Sequence, residues 1–190
     1  KLIAISIITE LSLTHPDYAF PKLAKILNIQ SELVEAVSDA LKNLWKEKET
    51  ELINNIETFW DLKTNNNLKL AAILSIDPAN IDDSEVLLDF LSSFIDEPSK
   101  DLKSEVAMKL KEIYIREPYI TESEMRKWLK ESMSKNAVQT IVLAFKEISK
   151  RKDSFLLDRT CLILENWERN EAEIISNTGT KILSLLREKL

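Results

Sequence analysis

The stretch NNLKLAAILSI, residues 66–76, decides the fold of this chain. It ends at Asp77 and Pro78, so it is far shorter than the roughly 20 apolar residues that cross a bilayer. Its apolar residues recur at the spacing of one helix face, at Leu68, Ala71, Ala72 and Ile76. The segment is therefore predicted to be a helix, and the preceding asparagines are predicted to supply its turn and N-cap.

This helix is the second member of a pair, and similar pairs recur along the chain. In each pair, a first helix with bulky residues is followed by a short polar turn and a second helix with small and branched apolar residues. The first helices are FPKLAKIL, INNIETFWDL, EVLLDFLSSFI, ESEMRKWLKESM and DRTCLILENWE. Corresponding second-helix positions are Leu41, Leu74, Leu110, Phe145 and Leu183. They recur roughly every 33 to 38 residues, which is the period of two-helix solenoid repeats.

Proline and capping residues divide the chain between these helices. The prolines are predicted to lie where helices end or start, at positions 16, 21, 78, 98 and 118. Asp83 or Ser84 ahead of Val86 is a predicted helix start, and Thr121 followed by Glu124 has the capping-box pattern.

The composition excludes several classes of protein. With one glycine, Gly179, the 190-residue chain lacks phosphate-cradling loops and dinucleotide-binding fingerprints, and extensive hairpin sheet is disfavoured. One cysteine and one histidine cannot form a zinc site of the usual ligands, and no cofactor is expected. The net charge of -6 means that nucleic acid could bind only through a local basic patch.

The opening segment KLIAISIITELSL is apolar but contains Glu10 and lacks the features of a signal peptide. It is predicted to be a core helix left unpaired by a repeat that lies upstream. We therefore expect residues 1–190 to form a single solenoid domain that is a segment of a longer protein. No membrane insertion is expected, and the lone cysteine fits an intracellular protein.

The stretch LLDFLSSFIDEPSKDLKSEVAMKLKEI resembles the HEAT-repeat family. Val106, Ala107 and Leu110 stand where HEAT units place valine, alanine and leucine. Asp96 matches the turn aspartate of the family, and Asn28 and Asn170 are weaker matches. Lys69 and Lys103 are the nearest substitutes for the arginine that opens the second helix.

The resemblance implies an all-α, right-handed α-α superhelix of about five helix pairs plus the unpaired N-terminal helix. It also implies a non-enzymatic scaffold or adaptor that binds another protein along its second-helix surface, because members of the family mostly hold proteins and some hold nucleic acid. No catalytic residue is assigned.

Two features could belong to such a binding surface. Trp45, at the end of a second helix, is the tryptophan most expected to be exposed. Lys146, Lys150, Arg151 and Lys152 form the one dense basic cluster. The cluster either complements the dipole of a helix C-terminus or contacts phosphate.

Other conspicuous residues have a structural interpretation beside a functional one. Six aromatic residues near the ends of first helices are predicted to pack between repeats, with an aromatic binding groove as the alternative: Phe59, Trp60, Phe90, Phe94, Trp128 and Trp167. Cys161 is expected to be an inert buried thiol, and His15 an exposed turn residue.

A DNA-acting protein is the alternative function. The second helices resemble those of HEAT-like alkylpurine DNA glycosylases, in which Glu35 would replace the family's aspartate, but the tryptophans beside it are missing. The segment LILENWERNEAEI looks like the ending of DnaD-like replication proteins, and residues 21–44 could form a helix-turn-helix.

Overall fold

The computed structural model describes residues 2–80, 83–151 and 153–187, and these residues are all-α without a strand. The α-helices are α1 (Leu2–Glu10), α2 (Pro16–Ile29), α3 (Val34–Phe59), α4 (Asn66–Ser75), α5 (Ser84–Ser92), α6 (Lys100–Arg116), α7 (Pro118–Ser132), α8 (Lys135–Ile148), α9 (Ser154–Glu168) and α10 (Glu173–Arg187). Short 3-10 helices cover Ser31–Leu33 and Pro78–Asn80. The prediction of an all-α protein is confirmed.

Helix α4 forms as its sequence predicts. The Asn65 side chain accepts hydrogen bonds from the backbone N–H groups of Asn67 and Leu68, at 2.9 and 3.1 Å. Two of the free N–H groups of the first turn are thereby satisfied, as expected of an N-cap. Asp83 does the same for α5, because its carboxylate accepts from the N–H groups of Glu85 and Val86.

Two local predictions are wrong. Pro21 lies inside α2, five residues after the helix begins at Pro16. Thr121 does not cap a helix, because α7 already starts at Pro118 and the Thr121 hydroxyl donates to the carbonyl of Glu117 at 2.8 Å. By contrast, the two helical segments predicted on either side of residue 48 are present, because a kink with non-helical dihedrals at Lys48 (φ -148°, ψ 42°) separates them within α3.

The chain divides into two compact units, residues 1–86 and 87–190. In the first unit, α3 packs against α1, α2 and α4. Trp60 is buried there, and its indole N–H donates to the carbonyl of Phe20 at 3.1 Å. Helix α1 exposes Leu2, Ile3 and Ile7, which agrees with the expected apolar surface on this helix.

In the second unit, α6 packs against α7 and α8, and α10 packs against α9 and α8. Edge-to-face contacts join Tyr114 to Phe145 and Phe145 to Trp167, with ring centroids 5.3 and 5.8 Å apart. The Tyr114 hydroxyl lies 3.2 Å from Thr160 Oγ1, and burial raises the pKa of Tyr114 to about 12. The three aromatic side chains therefore tie α6, α8 and α9 into one core.

The aromatic residues predicted to pack between repeats are buried, apart from Phe59, which is half-buried and stacks on Phe20. The buried members are Trp60, Phe90, Phe94, Trp128 and Trp167. Apolar packing is therefore the role of these side chains in the structure.

One kind of polar link is found in both units. In the first unit, the Asn65 amide donates to Asn28 Oδ1, and Asn67 Nδ2 donates to the carbonyl of Leu27 at 3.2 Å. In the second unit, Ser134 Oγ donates to Asp96 Oδ1, and Asn136 Nδ2 donates to the Asp96 carbonyl at 3.3 Å. In both cases, residues at the N-terminus of one helix, α4 or α8, bond to the C-terminal end of α2 or to the turn that follows α5.

Gly179 is needed for the close approach of α9 and α10. A Cβ atom built on Gly179 would lie 2.8 Å from Trp167 Cβ and 3.0 Å from the backbone nitrogen of Glu168. Both atoms are part of, or attached directly to, the backbone of α9, so neither can rotate away.

Substitution of Gly179 by alanine is therefore expected to destabilise the protein. Overpacking costs typically about 1–3 kcal/mol, which outweighs the roughly 1 kcal/mol that alanine gains over glycine in a helix. Urea denaturation followed by circular dichroism measures the change. Thr180→Ala is the control, because Thr180 is the next residue of α10 and is exposed. A stabilised Gly179→Ala variant would contradict the close approach.

Candidate functional site

Helices α8 and α10 of the second unit carry the candidate site. Helix α8 packs against both α6 and α10. Toward α6, the Lys103 ammonium donates to Gln139 Oε1 at 2.6 Å and to Asn136 Oδ1 at 3.3 Å. Lys103 is 9% exposed, so these amide oxygens replace much of the water that a lysine head would otherwise hold.

A groove with a volume of about 370 Å³ lies between α8 and α10. Its apolar part is formed by the half-buried side chains of Val138 and Ile174. Exposed polar residues recur along α10 at intervals of four residues, which places them on one face of the helix. The described residues that line the groove are Val138, Glu173, Ile174, Asn177, Thr178 and Lys181.

The groove combines an apolar floor with a charged rim. Glu173 and Lys181 stand two turns apart on α10, and Asn177 between them donates to Glu173 Oε1 at 3.4 Å. An extended or helical segment could place an apolar side chain against Val138 and Ile174 while its polar groups meet these two charges. None of the described lining residues is a thiol, an imidazole or part of a paired set of carboxylates.

Trp45 does not belong to an exposed surface, and its predicted exposure is wrong. The side chain is 1% exposed, and its indole N–H donates to Ser75 Oγ at 3.1 Å. Trp45 therefore joins α3 to α4 inside the first unit. Trp45 does lie near the end of a helical segment, three residues before the kink at Lys48, but α3 packs against α1, α2 and α4 and the side chain is buried.

The basic cluster lies at and beyond the C-terminus of α8. Lys146 and Arg151 are exposed, and Lys150 forms an ion pair with Glu147 at 2.5 Å. Lys152 lies outside the described residues. Because Glu147 partly neutralises the cluster and the helix C-terminus attracts cations, the arrangement fits dipole complementation. The described members of the cluster do not line the groove.

Other candidate residues are scattered over both units. Glu35 is exposed in the first turn of α3, and His15 is exposed at the start of α2, as predicted. Cys161 is half-exposed, so the expectation of a buried thiol is wrong. Desolvation and the nearby carboxylates of Asp158 and Glu165 nonetheless raise the pKa of the Cys161 thiol, which keeps it protonated and weakly nucleophilic.

Sequence reasoning missed the residues of the groove. Val138 shares the apolar sequence pattern of α8 with Ile141 and Phe145, but it is half-buried while the other two are fully buried. Glu173, Asn177 and Lys181 follow each other at i, i+4 and i+8, a pattern that marks one polar helix face. That pattern indicates exposure, but it does not show that a neighbouring helix leaves room beside it.

No family model, curated protein or solved structure matches the chain. Among the described residues, no helix is long and apolar enough to span a membrane. Over the same residues, no group of three or more histidine, cysteine, aspartate or glutamate side chains is placed to hold a metal ion.

Proposed function

We propose that the chain is a non-enzymatic scaffold or adaptor that binds another protein along its second-helix surface. The groove between α8 and α10 is the observation that carries this proposal. An apolar centre with a charged rim is the usual arrangement of a protein interface. The groove lies on second helices, where the HEAT-repeat resemblance implies that partners bind.

We also propose that the helix pairs stack as a right-handed HEAT-like superhelix. Equivalent N-cap links support repeated stacking, since Asn65 reaches back 37 residues to Asn28 and Ser134 reaches back 38 residues to Asp96. Both intervals match the period of the sequence pattern. Units of this kind bury their apolar faces only against neighbours, and they leave one row of helices available for partners.

Capture of partners from a native lysate tests the function. Proteins retained by the wild-type chain would be identified by mass spectrometry and then measured one by one against variants of the groove. Ile174→Lys places a charge on the apolar floor of the groove. It is expected to weaken the binding of a true partner about tenfold or more. Thr180→Lys is the matched control, because it adds the same side chain to an exposed position on α10 that does not line the groove.

Loss of the partner with Ile174→Lys but not with Thr180→Lys is the expected result. Equal binding of the partner by the wild type, Ile174→Lys and Thr180→Lys would show that the groove is not part of the interface. Circular dichroism of each variant distinguishes a lost contact from a lost fold, since Ile174 is only half-buried.

Nucleic-acid binding is expected to be weak and non-specific. The net charge is -6, and the described part of the basic cluster offers Lys146, Lys150 and Arg151, one of which is paired with Glu147. Few phosphate contacts give low affinity at about 150 mM salt. Measuring the affinity for duplex and single-stranded DNA at that salt concentration tests this prediction.

Tight DNA binding that disappears when the cluster is neutralised would overturn the protein-scaffold proposal.

Release of alkylated bases provides a separate assay for the glycosylase alternative. Glu35 is the carboxylate that the resemblance places at the active site. Base release that is lost in Glu35→Gln would therefore show that the protein is an enzyme. We expect no release from either protein.

A further inference from the structure

A second exposed surface lies on the first helices α7 and α9. Tyr119, Phe155 and Leu162 are 65%, 73% and 64% exposed. Phe155, Arg159 and Leu162 are spaced i, i+4 and i+7, so they share one face of α9. Arg159 approaches Tyr119 of α7, and these four residues form what we call the α7–α9 patch.

Arg159 is held between two aromatic rings. Its guanidinium carbon lies 6.0 Å from the ring centroid of Tyr119 and 5.6 Å from that of Phe155. The Nε atom is buried without a hydrogen-bond partner. The two rings therefore remove part of the hydration of the guanidinium group.

No described carboxylate pairs with Arg159. Glu122 of α7 is already engaged, because its Oε1 accepts the Trp167 indole N–H at 2.5 Å and lies 2.6 Å from Arg126 Nε. Arg159 is thus a half-buried arginine that forms no ion pair within the described residues and lies beside exposed apolar side chains. A planar guanidinium group without an ion pair can bind a carboxylate through two of its nitrogen atoms.

From this arrangement we infer that the α7–α9 patch binds an acidic peptide segment of a partner protein. A carboxylate of that segment pairs with Arg159, and a neighbouring apolar side chain packs against Phe155 and Leu162. Exposed aromatic residues around an arginine have the composition of interface hot spots. A net charge of -6 disfavours a polyanion such as nucleic acid, whereas a short segment with a few carboxylates needs one well-placed cation.

The patch is separate from the groove between α8 and α10, since none of its residues lines that groove. The test uses three fluorescein-labelled probes measured by fluorescence anisotropy at about 50 mM salt, where charge pairing is strong. One is a short peptide in which Glu and Asp alternate with Phe and Leu. The second replaces Glu and Asp by Gln and Asn, and the third is an oligothymidylate.

The acidic peptide is expected to bind saturably and more tightly than its amide counterpart. Arg159→Gln and Phe155→Ala should each weaken the binding of the acidic peptide about tenfold. Arg159→Lys should weaken this binding less than Arg159→Gln does. Arg169→Gln is the matched control, because it removes one exposed arginine at the end of the same helix. Phe155 is exposed, so its removal tests the patch without disturbing the core.

Equal binding of the acidic and amide peptides would overturn the proposal. So would an equal effect of Arg169→Gln and Arg159→Gln, because the peptide would then respond to the loss of any exposed arginine and not to the patch in particular. Tighter, Arg159-dependent binding of the oligothymidylate would assign the patch to nucleic acid and reject the acidic peptide.

Discussion

Replacement of Trp45 by alanine is expected to destabilise the protein by about 3–5 kcal/mol, as for other buried tryptophans. The side chain is 1% exposed in the first unit, where α3 packs against three other helices. The substitution removes apolar contacts, leaves a cavity and deprives Ser75 of the indole N–H that it accepts at 3.1 Å. Urea denaturation followed by circular dichroism measures the loss.

Two controls separate the cavity from the hydrogen bond. Trp45→Phe retains most of the apolar volume and should cost less than Trp45→Ala. Ser75→Ala leaves the indole N–H without its partner and should cost about 1–3 kcal/mol. If Trp45→Ala changed the free energy of unfolding by less than about 0.5 kcal/mol, the usual range for surface substitutions, the side chain would be exposed after all.

The helices could be predicted from sequence because each has a strong local signal. The apolar residues of α8 recur at a period of 3.6, and its N-cap residue Ser134 accepts from the N–H groups of Asn136 and Ala137. The same holds for α4, where the asparagine run supplies the cap. Local chemistry and packing agree in these segments, so the pattern alone is sufficient.

Helix boundaries were less predictable because packing can override local preferences. Pro21 lies inside α2, where it removes the N–H that would otherwise bond to the carbonyl of Asp17, yet the helix continues through it. The residues around Lys48 contain neither proline nor glycine, so no residue type marks the kink that separates the two predicted segments of α3. The burial of Trp45 depends on the packing of α3 against α4, which the sequence does not show.

Neither surface proposed here could be read from sequence, because both depend on which helices become neighbours. Val138 and Ile174 are 36 residues apart, and they line one groove only because α8 and α10 pack together. Tyr119 and Arg159 are likewise 40 residues apart. Periodicity indicates which residues are exposed on each helix, but the combination of side chains across two helices requires the tertiary structure.

Replacement of Leu110 by alanine is expected to cost about 2–5 kcal/mol, the range for fully buried leucines. Leu110 lies one turn before Tyr114 on α6 and is 0% exposed. It therefore belongs to the core in which Tyr114, Phe145 and Trp167 join α6, α8 and α9. Removing three side-chain carbons there leaves a cavity that close-packed aromatic neighbours cannot fill without strain.

Leu162→Ala is the matched control, because it makes the same substitution in the same unit at a side chain that is 64% exposed. It is expected to change the free energy of unfolding by no more than about 0.5 kcal/mol. Both values come from urea denaturation followed by circular dichroism. A Leu110→Ala loss as small as that of Leu162→Ala would place Leu110 at the surface. The correspondence of Leu110 with the buried residues Leu41, Phe145 and Leu183, on which the repeat period rests, would then be wrong.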